Sequence, residues 1–433
     1  ATGRRRRGAM VEPVGTPGAM APSVRRLLLR KPRVPAPLDP DFAPVILAKR
    51  HYLEAVGAGA ATVEWALPRV DGCCGRGRLP VFPDGHADVE ASVHLCGVLI
   101  QEMMWERGAA RLLLCGPSRT CAALREAYSP SGRYSFDVLT MPKICGQASA
   151  PFEVEIVSGP SALPPAKEAP QACGQDASGC RLAFDLGKSD IKTVAVKDNE
   201  VLFSRETEWD CTNPDPQYHY DTVLKALREA AAELPRVDAI GGSSTGIISA
   251  NNEAMFCDIF ANVPPDAYKE KVVPIFNNLA KQFDNVPLKV INDGEVTALA
   301  GAMMVKAGNL FGISLGSAEG GGYCNKNGHL LGWINEMSFV QLDLNPSAPT
   351  DFWTKHCHTG LSHMYLGQRG ATKLAAKAGV EVPPNYAYPH PDMKSIKHEN
   401  HAQCLKLIQK AMADPDKEPI VRKIYETMGV YLG

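Results

Sequence analysis

The 433-residue sequence has no run of eighteen apolar residues without a charge, which argues against a membrane-spanning helix. Its 13 cysteines are odd in number and scattered, which argues against the disulfide framework of a small secreted domain. We expect no secretory leader and reduced thiols, and therefore a cytoplasmic protein. Apolar residues make up 45% of the chain and charged residues 21%, so the chain as a whole is expected to fold around a core.

The chain has almost no net charge, −1, but its charges are unevenly distributed. Residues 1–33 contain nine Arg or Lys and one acidic residue, Glu12, whereas the remainder has 37 basic and 46 acidic side chains. We predict that 1–34 is a disordered basic extension, with an organelle-targeting segment or an RNA-touching tail as alternatives. We also expect the native chain to begin at Met20. The acidic remainder argues against nucleic acid as a partner.

A stretch rich in proline, glycine, alanine and serine, 158–179, predicts a linker. It separates an N-terminal α/β domain over 35–157 from a larger α/β domain over 180–433. In the smaller domain we predict helices at 43–58 and 87–107, strands at 61–67 and 111–115, and a helix that opens at Gly116-Pro117-Ser118.

The turn between the strand at 111–115 and its helix allows two interpretations. Such a corner can bind an anion at the start of the helix, although an ordinary α/β turn is the simpler interpretation. A further hypothesis makes 35–157 a second catalytic domain, with Cys115 and Ser118 at its site.

The larger domain alternates strands and helices, which indicates an α/β fold with a mostly parallel sheet headed by an antiparallel hairpin. Polar, glycine-rich segments follow several strands, where ligands bind in such sheets. The predicted strands are 181–186, 191–197, 201–203, 237–241, 287–291 and 309–315, and the predicted helices are 217–234, 266–283, 295–307 and 417–432.

Three segments of this domain contain residues suited to chemistry. Asp185-Leu-Gly187-Lys-Ser189 lies at the first hairpin, where Asp185 can hold a divalent metal and the turn can approach phosphate, unless it is a plain turn. Asn292-Asp293 can clamp a diol and accept a hydroxyl proton, or can simply cap a helix. The segment 316–322 contains four glycines and predicts a loop of free amides for phosphate, or a flexible turn.

The order and spacing of these three segments resemble the ROK family (repressors, ORFs and sugar kinases) of the actin/hexokinase-like, ribonuclease H-like superfamily. The resemblance covers about 180–433 and implies a mixed sheet. It implies an ATP- and Mg²⁺-dependent kinase acting on a sugar, often as a homodimer.

The resemblance also implies roles for individual residues. Asp293 would be the general base, with Asn292, Glu336, His363 and Gly246 lining the sugar. The phosphate-binding residues would be Gly187, Ser189, Gly316 and Ser317, and Asp185 would lie near Mg²⁺.

The sequence departs from the family pattern at the sugar motif. Phe339 stands where the family has histidine, and His363 stands where it has a second sugar-binding glutamate. The cysteine-rich zinc segment is replaced by His356-Cys357-His358, and because adjacent side chains rarely face one ion, we expect no zinc. The family also continues beyond Gly433 with an adenosine motif, so we expect part of the nucleotide pocket to be missing.

We therefore expect an ATP-dependent phosphotransferase acting on a sugar or sugar-like hydroxyl. The alternative is a non-catalytic sugar-sensing or regulatory protein on the same fold, which the altered residues Phe339 and His363 favour.

Overall fold

The computed structural model of the protein describes residues 20–57, 59–146, 150–174, 178–316, 318–350, 354, 358–380 and 398–433. No helix in these ranges is long and apolar enough to cross a membrane. The N-terminal unit is built around a four-stranded sheet in the order β2-β1-β3-β4. Its elements are α1 (Pro22–Leu28), α2 (Val45–Val56), β1 (Ala61–Pro68), β2 (Cys74–Val81), α3 (Val89–Arg107), β3 (Arg111–Cys115), α4 (Ser118–Ala127), α5 (Ser135–Ile144) and β4 (Glu153–Ile156).

The first helix, α1, differs from the expected disordered extension. Proline at its first position suits a helix start, and Val24, Leu27 and Leu28 recur with helical spacing. These three side chains are buried in the core of the N-terminal unit. The prediction of disorder was wrong for this segment, because it relied on the basic residues and overlooked the apolar face of the helix. Residues 1–19 lie outside the described ranges.

The corner before α4 is an ordinary turn filled by the protein itself. The Asp84 carboxylate accepts hydrogen bonds from the backbone N–H groups of Arg119 (2.8 Å) and Thr120 (3.3 Å) and from the Ser118 hydroxyl (3.1 Å). An internal carboxylate therefore occupies the place where an external anion would bind at the helix start.

The larger unit is a mixed α/β fold, which confirms the predicted fold class. Its sheet has the order β11-β8-β5-β6-β7, with β5, β6 and β7 antiparallel and with β8 and β11 parallel to β5. The elements are β5 (Cys180–Leu186), β6 (Asp190–Lys197), β7 (Glu200–Glu208), α6 (Pro216–Ala231), β8 (Ala239–Ser244), β9 (Ile247–Ile248), β10 (Ala254–Phe256), α7 (Pro265–Ala267), α8 (Ile275–Ala280), β11 (Leu288–Asn292), α9 (Asp293–Val305), β12 (Leu310–Leu315), β13 (Glu319–Cys324), α10 (Gly367–Ala378), α11 (His398–Met412) and α12 (Glu418–Leu432).

The single helix predicted over 266–283 is broken into short pieces. Between α7 and α8 lies a π-helical turn, Tyr268–Val272, and a 3₁₀ turn follows at Lys281–Phe283. Pro274 directly precedes α8 and has no N–H to donate to the preceding turn. The predicted continuous helix is therefore wrong, and Pro274 stands where the segment divides.

The glycine-rich segment 316–322 is not the loop that the sequence predicts. Gly320, Gly321 and Gly322 lie in β13 and pair with β12. A Cβ on Gly322 would lie 2.5 Å from the Glu295 Cα, and one on Gly294 would lie 2.5 Å from the Gly321 nitrogen. These glycines therefore let the β12–β13 hairpin pack directly on the backbone of α9.

The two units are in contact with each other. The core of the N-terminal unit includes Ile247 and Leu344 from the larger unit. The predicted linker is attached to both units, because Lys167 forms a backbone bridge to Cys74 and Gln171 forms one to Leu330. The N-terminal unit thus has its own sheet, and its main core includes side chains from the larger unit.

Candidate functional site

The candidate site lies where three strands of the larger sheet end. In the parallel register Leu186 lies beside Ser244, and Ser244 lies beside Asn292. The carboxyl ends of β5, β8 and β11 therefore meet at one edge of the sheet, as expected for a ligand site in an α/β fold. The β5–β6 turn, the start of α9 and the β12–β13 hairpin surround this edge.

Asn292 caps α9, which is the simpler of the two interpretations that the sequence allowed. Its side-chain oxygen accepts a hydrogen bond from the Gly294 N–H (2.8 Å), and its Nδ2 donates to the Gly246 carbonyl (2.7 Å). Glu295 completes a capping box from the third helical position. Asn292 and Gly246, both predicted to bind substrate, are thus hydrogen-bonded to each other. Asn292 also fixes the start of α9, where Asp293 lies.

Gly246 has a backbone conformation that only glycine adopts easily. Its φ is +91°, and a Cβ there would lie 2.2 Å from the Phe256 carbonyl oxygen. Its carbonyl accepts a hydrogen bond from Asn292, and its predicted place along the sugar stays a prediction.

Asp293 begins α9 and faces the β12–β13 hairpin. Its Oδ1 lies 3.2 Å from the position that a Cβ on Gly320 would occupy, so glycine provides the room for the carboxylate. Burial, with repulsion from the nearby carboxylates of Asp185 and Asp258, raises the pKa of Asp293 to about 6. A carboxylate with this pKa can accept a proton near neutral pH.

Two further carboxyl groups belong to the same electrostatic cluster. Burial raises the pKa of Glu336 to about 8, with repulsion from Asp293, Asp258 and Glu319. Burial also raises the pKa of Glu319, whose Oε2 has no hydrogen-bond partner among the described residues. The site is therefore strongly acidic.

Asp258 and Glu319 were not recognised as site residues in the sequence. Asp258 follows a short irregular apolar segment and forms an ion pair with Lys188 at 2.5 Å. Glu319 accepts a hydrogen bond from the Ser362 hydroxyl. The only sequence signal was a carboxylate within the glycine-rich segment at Glu319, and none marked Asp258.

The β5–β6 turn contains the first set of predicted phosphate residues. Asp185 precedes the turn, its side chain is 42% exposed, and its Oδ2 lies 3.9 Å from the Lys192 Nζ. Ser189 is exposed, whereas the Gly187 N–H donates to the Asp190 carbonyl at 3.0 Å and closes the turn. A partly exposed carboxylate and an exposed hydroxyl thus lie at this turn, while the Gly187 amide already has an acceptor.

The turn between β12 and β13 contains the second set. The Gly316 N–H donates to the Ala318 carbonyl (2.9 Å), and the Gly316 carbonyl accepts from the Gln368 N–H at the start of α10 (2.9 Å). Ser317 lies outside the described residues.

His363, the predicted second sugar residue, is buried. Its Nδ1 lies 2.8 Å from the Ser338 carbonyl, and its imidazole lies close enough to Glu319 to favour that residue's anion. His358 instead pairs with Asp137, at 2.6 Å. No group of three metal-ligating side chains occurs within the described ranges, and His356 and Cys357 lie outside them.

No protein-family model matches the sequence, and no curated protein matches it. Among solved structures, the chain is similar to a ROK family transcriptional regulator, a homologue of the E. coli MLC protein, with 16% identity and a TM-score of 0.41 over 59% of this chain and 70% of that one. It is also similar to a ROK hexokinase from Thermus thermophilus, with 18% identity and a TM-score of 0.39 over 58% and 76%. A ROK family protein from Streptococcus pneumoniae, solved with sucrose, matches at 14% identity and a TM-score of 0.34 over 57% and 86%. The three include both a regulator and a kinase.

Proposed function

We propose that this protein is an ATP-dependent phosphotransferase of the ROK type that acts on a hydroxyl of a sugar or sugar-like molecule. The observation that supports it most is the position of Asp293, beside Gly320 of the β12–β13 hairpin and near Asp185 of β5, with a pKa raised to about 6. A base with such a pKa is largely ionised at pH 7 and yet basic enough to help remove a hydroxyl proton.

In this proposal Asp293 accepts the proton of the acceptor hydroxyl while a second sugar hydroxyl bonds to Glu336. The pKa of Glu336 is raised to about 8, so at pH 7 its carboxyl group is mostly protonated and can both donate and accept a hydrogen bond. Asn292 acts through Asp293, because its amide holds the helix start against Gly246. His363 acts through the Ser338 backbone and Glu319.

The exposed carboxylate of Asp185 fits a Mg²⁺–nucleotide complex, because Mg²⁺ usually takes one or two carboxylates and completes its shell with water and phosphate oxygens. When bound, Mg²⁺ would neutralise charge on the phosphates. On the protein side, the Ser189 hydroxyl and the turn at Gly316 would orient the phosphates from opposite hairpins. The amide of Gly187 would have to exchange its turn hydrogen bond for a phosphate.

A second candidate function is a non-catalytic sugar-sensing protein. It is favoured by the turn hydrogen bonds that occupy the Gly187 and Gly316 amides. Such a protein would use Glu336 and Asp293 to bind the sugar and would not transfer phosphate.

A two-step experiment separates these functions. A thermal-shift screen with sugars, with and without Mg²⁺–ATP, identifies ligands, because a ligand of the native state raises Tm. Each ligand found is then incubated with the protein and Mg²⁺–ATP, and sugar phosphate is measured. Sugar-dependent product formation supports the kinase; sugar binding without product supports the sensor; and the absence of any sugar effect would refute both.

A further inference from the structure

The C-terminal end of α3, in the N-terminal unit, holds the segment that contains Glu336. The last carbonyls of a helix have no partner within it. The Trp105 carbonyl accepts a hydrogen bond from the Glu336 N–H (3.0 Å), and the Glu106 carbonyl accepts one from the Asn335 N–H (2.9 Å). The backbone of the substrate residue Glu336 is thus fixed by a helix more than 200 residues earlier in the chain.

Side chains of α3 hold the same segment at Phe339. The Gln101 Nε2 donates to the Phe339 carbonyl at 2.7 Å, and the Trp105 ring stacks on the Phe339 ring with centroids 4.4 Å apart. Gln101 is 1% exposed, and its Oε1 has no partner within the described part of the chain. The unpaired Oε1 costs free energy because it is buried away from water. The hydrogen bond from Nε2 to Phe339 partly offsets this cost.

A buried network extends this attachment to the segment before His363. Asp137, on α5, is fully buried and accepts a hydrogen bond from the Trp105 Nε1 at 2.6 Å. Its other oxygen lies 2.6 Å from the His358 Nε2. The N-terminal unit therefore contacts the larger unit at two places, at residues 335–339 and at His358.

On its other side, the segment is attached to the helix of the proposed base. Asn335 has a left-handed backbone conformation (φ +49°), and its Nδ2 donates to the Glu295 Oε1 at 3.1 Å. Glu295 belongs to the capping box of α9. Residues 335 and 336 thus form the connection between α3 and the start of α9, where Asp293 lies.

We propose that the N-terminal unit is a positioning platform for the substrate site, and that Gln101 and Trp105 are positioning residues that set the place of Glu336 relative to Asp293. This deepens the proposed function and rests on it where substrate binding is concerned. Without this unit, the N–H groups of Asn335 and Glu336 would lose their backbone acceptors.

The test uses Gln101→Met and Trp105→Phe in the complete chain. Met fills a similar volume and removes both the donor to Phe339 and the unpaired oxygen, whereas Phe keeps the stacking and loses the bond to Asp137. We expect hydrogen exchange in segment 333–340 to accelerate by about three- to tenfold, the effect of losing one hydrogen bond. The Kd or KM for the sugar found in the screen should rise by a similar factor while kcat stays unchanged, because Asp293 is not altered.

The matched control is Tyr52→Phe, which removes a buried hydrogen bond to Ser92 on the same helix, 2.7 Å long and away from the segment. It should lower Tm without changing exchange in 333–340 or sugar affinity. Unchanged exchange in both Gln101→Met and Trp105→Phe would overturn the inference. If no sugar binds even the wild type, the proposed function fails, but the exchange rates still decide whether α3 positions this segment.

Discussion

At the scale of single residues, Asp293 and Glu336 both carry carboxyl groups and lie close enough to repel each other, but their surroundings separate their pKa values. The pKa is about 6 for Asp293 and about 8 for Glu336, so at pH 7 one is mainly ionised and the other mainly protonated. Pairs of carboxyl groups divided in this way commonly take the roles of base and hydrogen-bond donor.

The raised pKa of Glu336 predicts a pH-dependent stability. Its pKa is about 8 in the folded protein against an ordinary value of 4.5, so folding favours the protonated form. The contribution of Glu336 to the free energy of unfolding is therefore full below about pH 4.5 and is lost as the pH rises towards 8. Glu336→Gln cannot ionise, and its Tm should fall less than that of the wild type between pH 5 and pH 8. Parallel Tm curves for the two proteins would contradict the assignment.

The sequence predicted Asp293 because a polar pair follows a short apolar strand, a local signal. It could not predict Asp258 or Glu319 as partners, because their importance arises from chain segments that meet only in the folded protein. The predicted sugar contact of Asn292 stays a prediction; its role as a cap was foreseen only as an alternative, since cap and ligand share the same residue types.

At the scale of elements, the close packing of the β12–β13 hairpin on α9 depends on glycine. Gly322→Ala should destabilise the protein by about 1–3 kcal/mol, as overpacking does, because its Cβ would meet the Glu295 backbone. Gly241→Ala is the matched control, a strand glycine whose Cβ would have nothing within 4 Å. Urea denaturation of both variants measures the difference; equal stabilities would refute the packing account.

Most strands of the sheet were predicted close to their observed bounds, because alternation and turn residues are local. The glycine-rich part of β13 was taken for a loop, because glycine suggests turns even when close packing requires it. Helix α1 was missed because arginines on its exposed side suggested a disordered tail.

At the scale of the whole molecule, the segment that contains Asp39 and Phe42 packs against the C-terminal part of the chain. Phe42 is 1% exposed and packs against Tyr365 and Tyr431, with ring centroids 5.7 and 4.7 Å away. The Tyr431 hydroxyl donates to Asp39, at 2.6 Å. No local sequence pattern indicates contacts between residues so far apart in the chain. For this reason 35–157 was predicted to be a separate domain joined by a linker.

This packing predicts that a change near the N-terminus weakens the C-terminal helices. Phe42→Ala should lower the free energy of unfolding by about 3–5 kcal/mol, the usual cost of truncating a buried phenylalanine. Leu202→Ala, at a side chain that is 41% exposed, should change it by no more than about 0.5 kcal/mol. Denaturation followed by tyrosine fluorescence tests this; a Phe42→Ala protein as stable as the Leu202→Ala control would contradict the packing described here.

The most direct measurement compares wild type and Asp293→Asn for sugar binding and for sugar phosphate formation under the same conditions. Asparagine keeps the shape of the side chain and removes the base. We predict that the sugar Kd changes by less than about threefold and that kcat falls by about 10²-fold or more, the contribution typical of a general base. Turnover equal to that of the wild type would contradict the account.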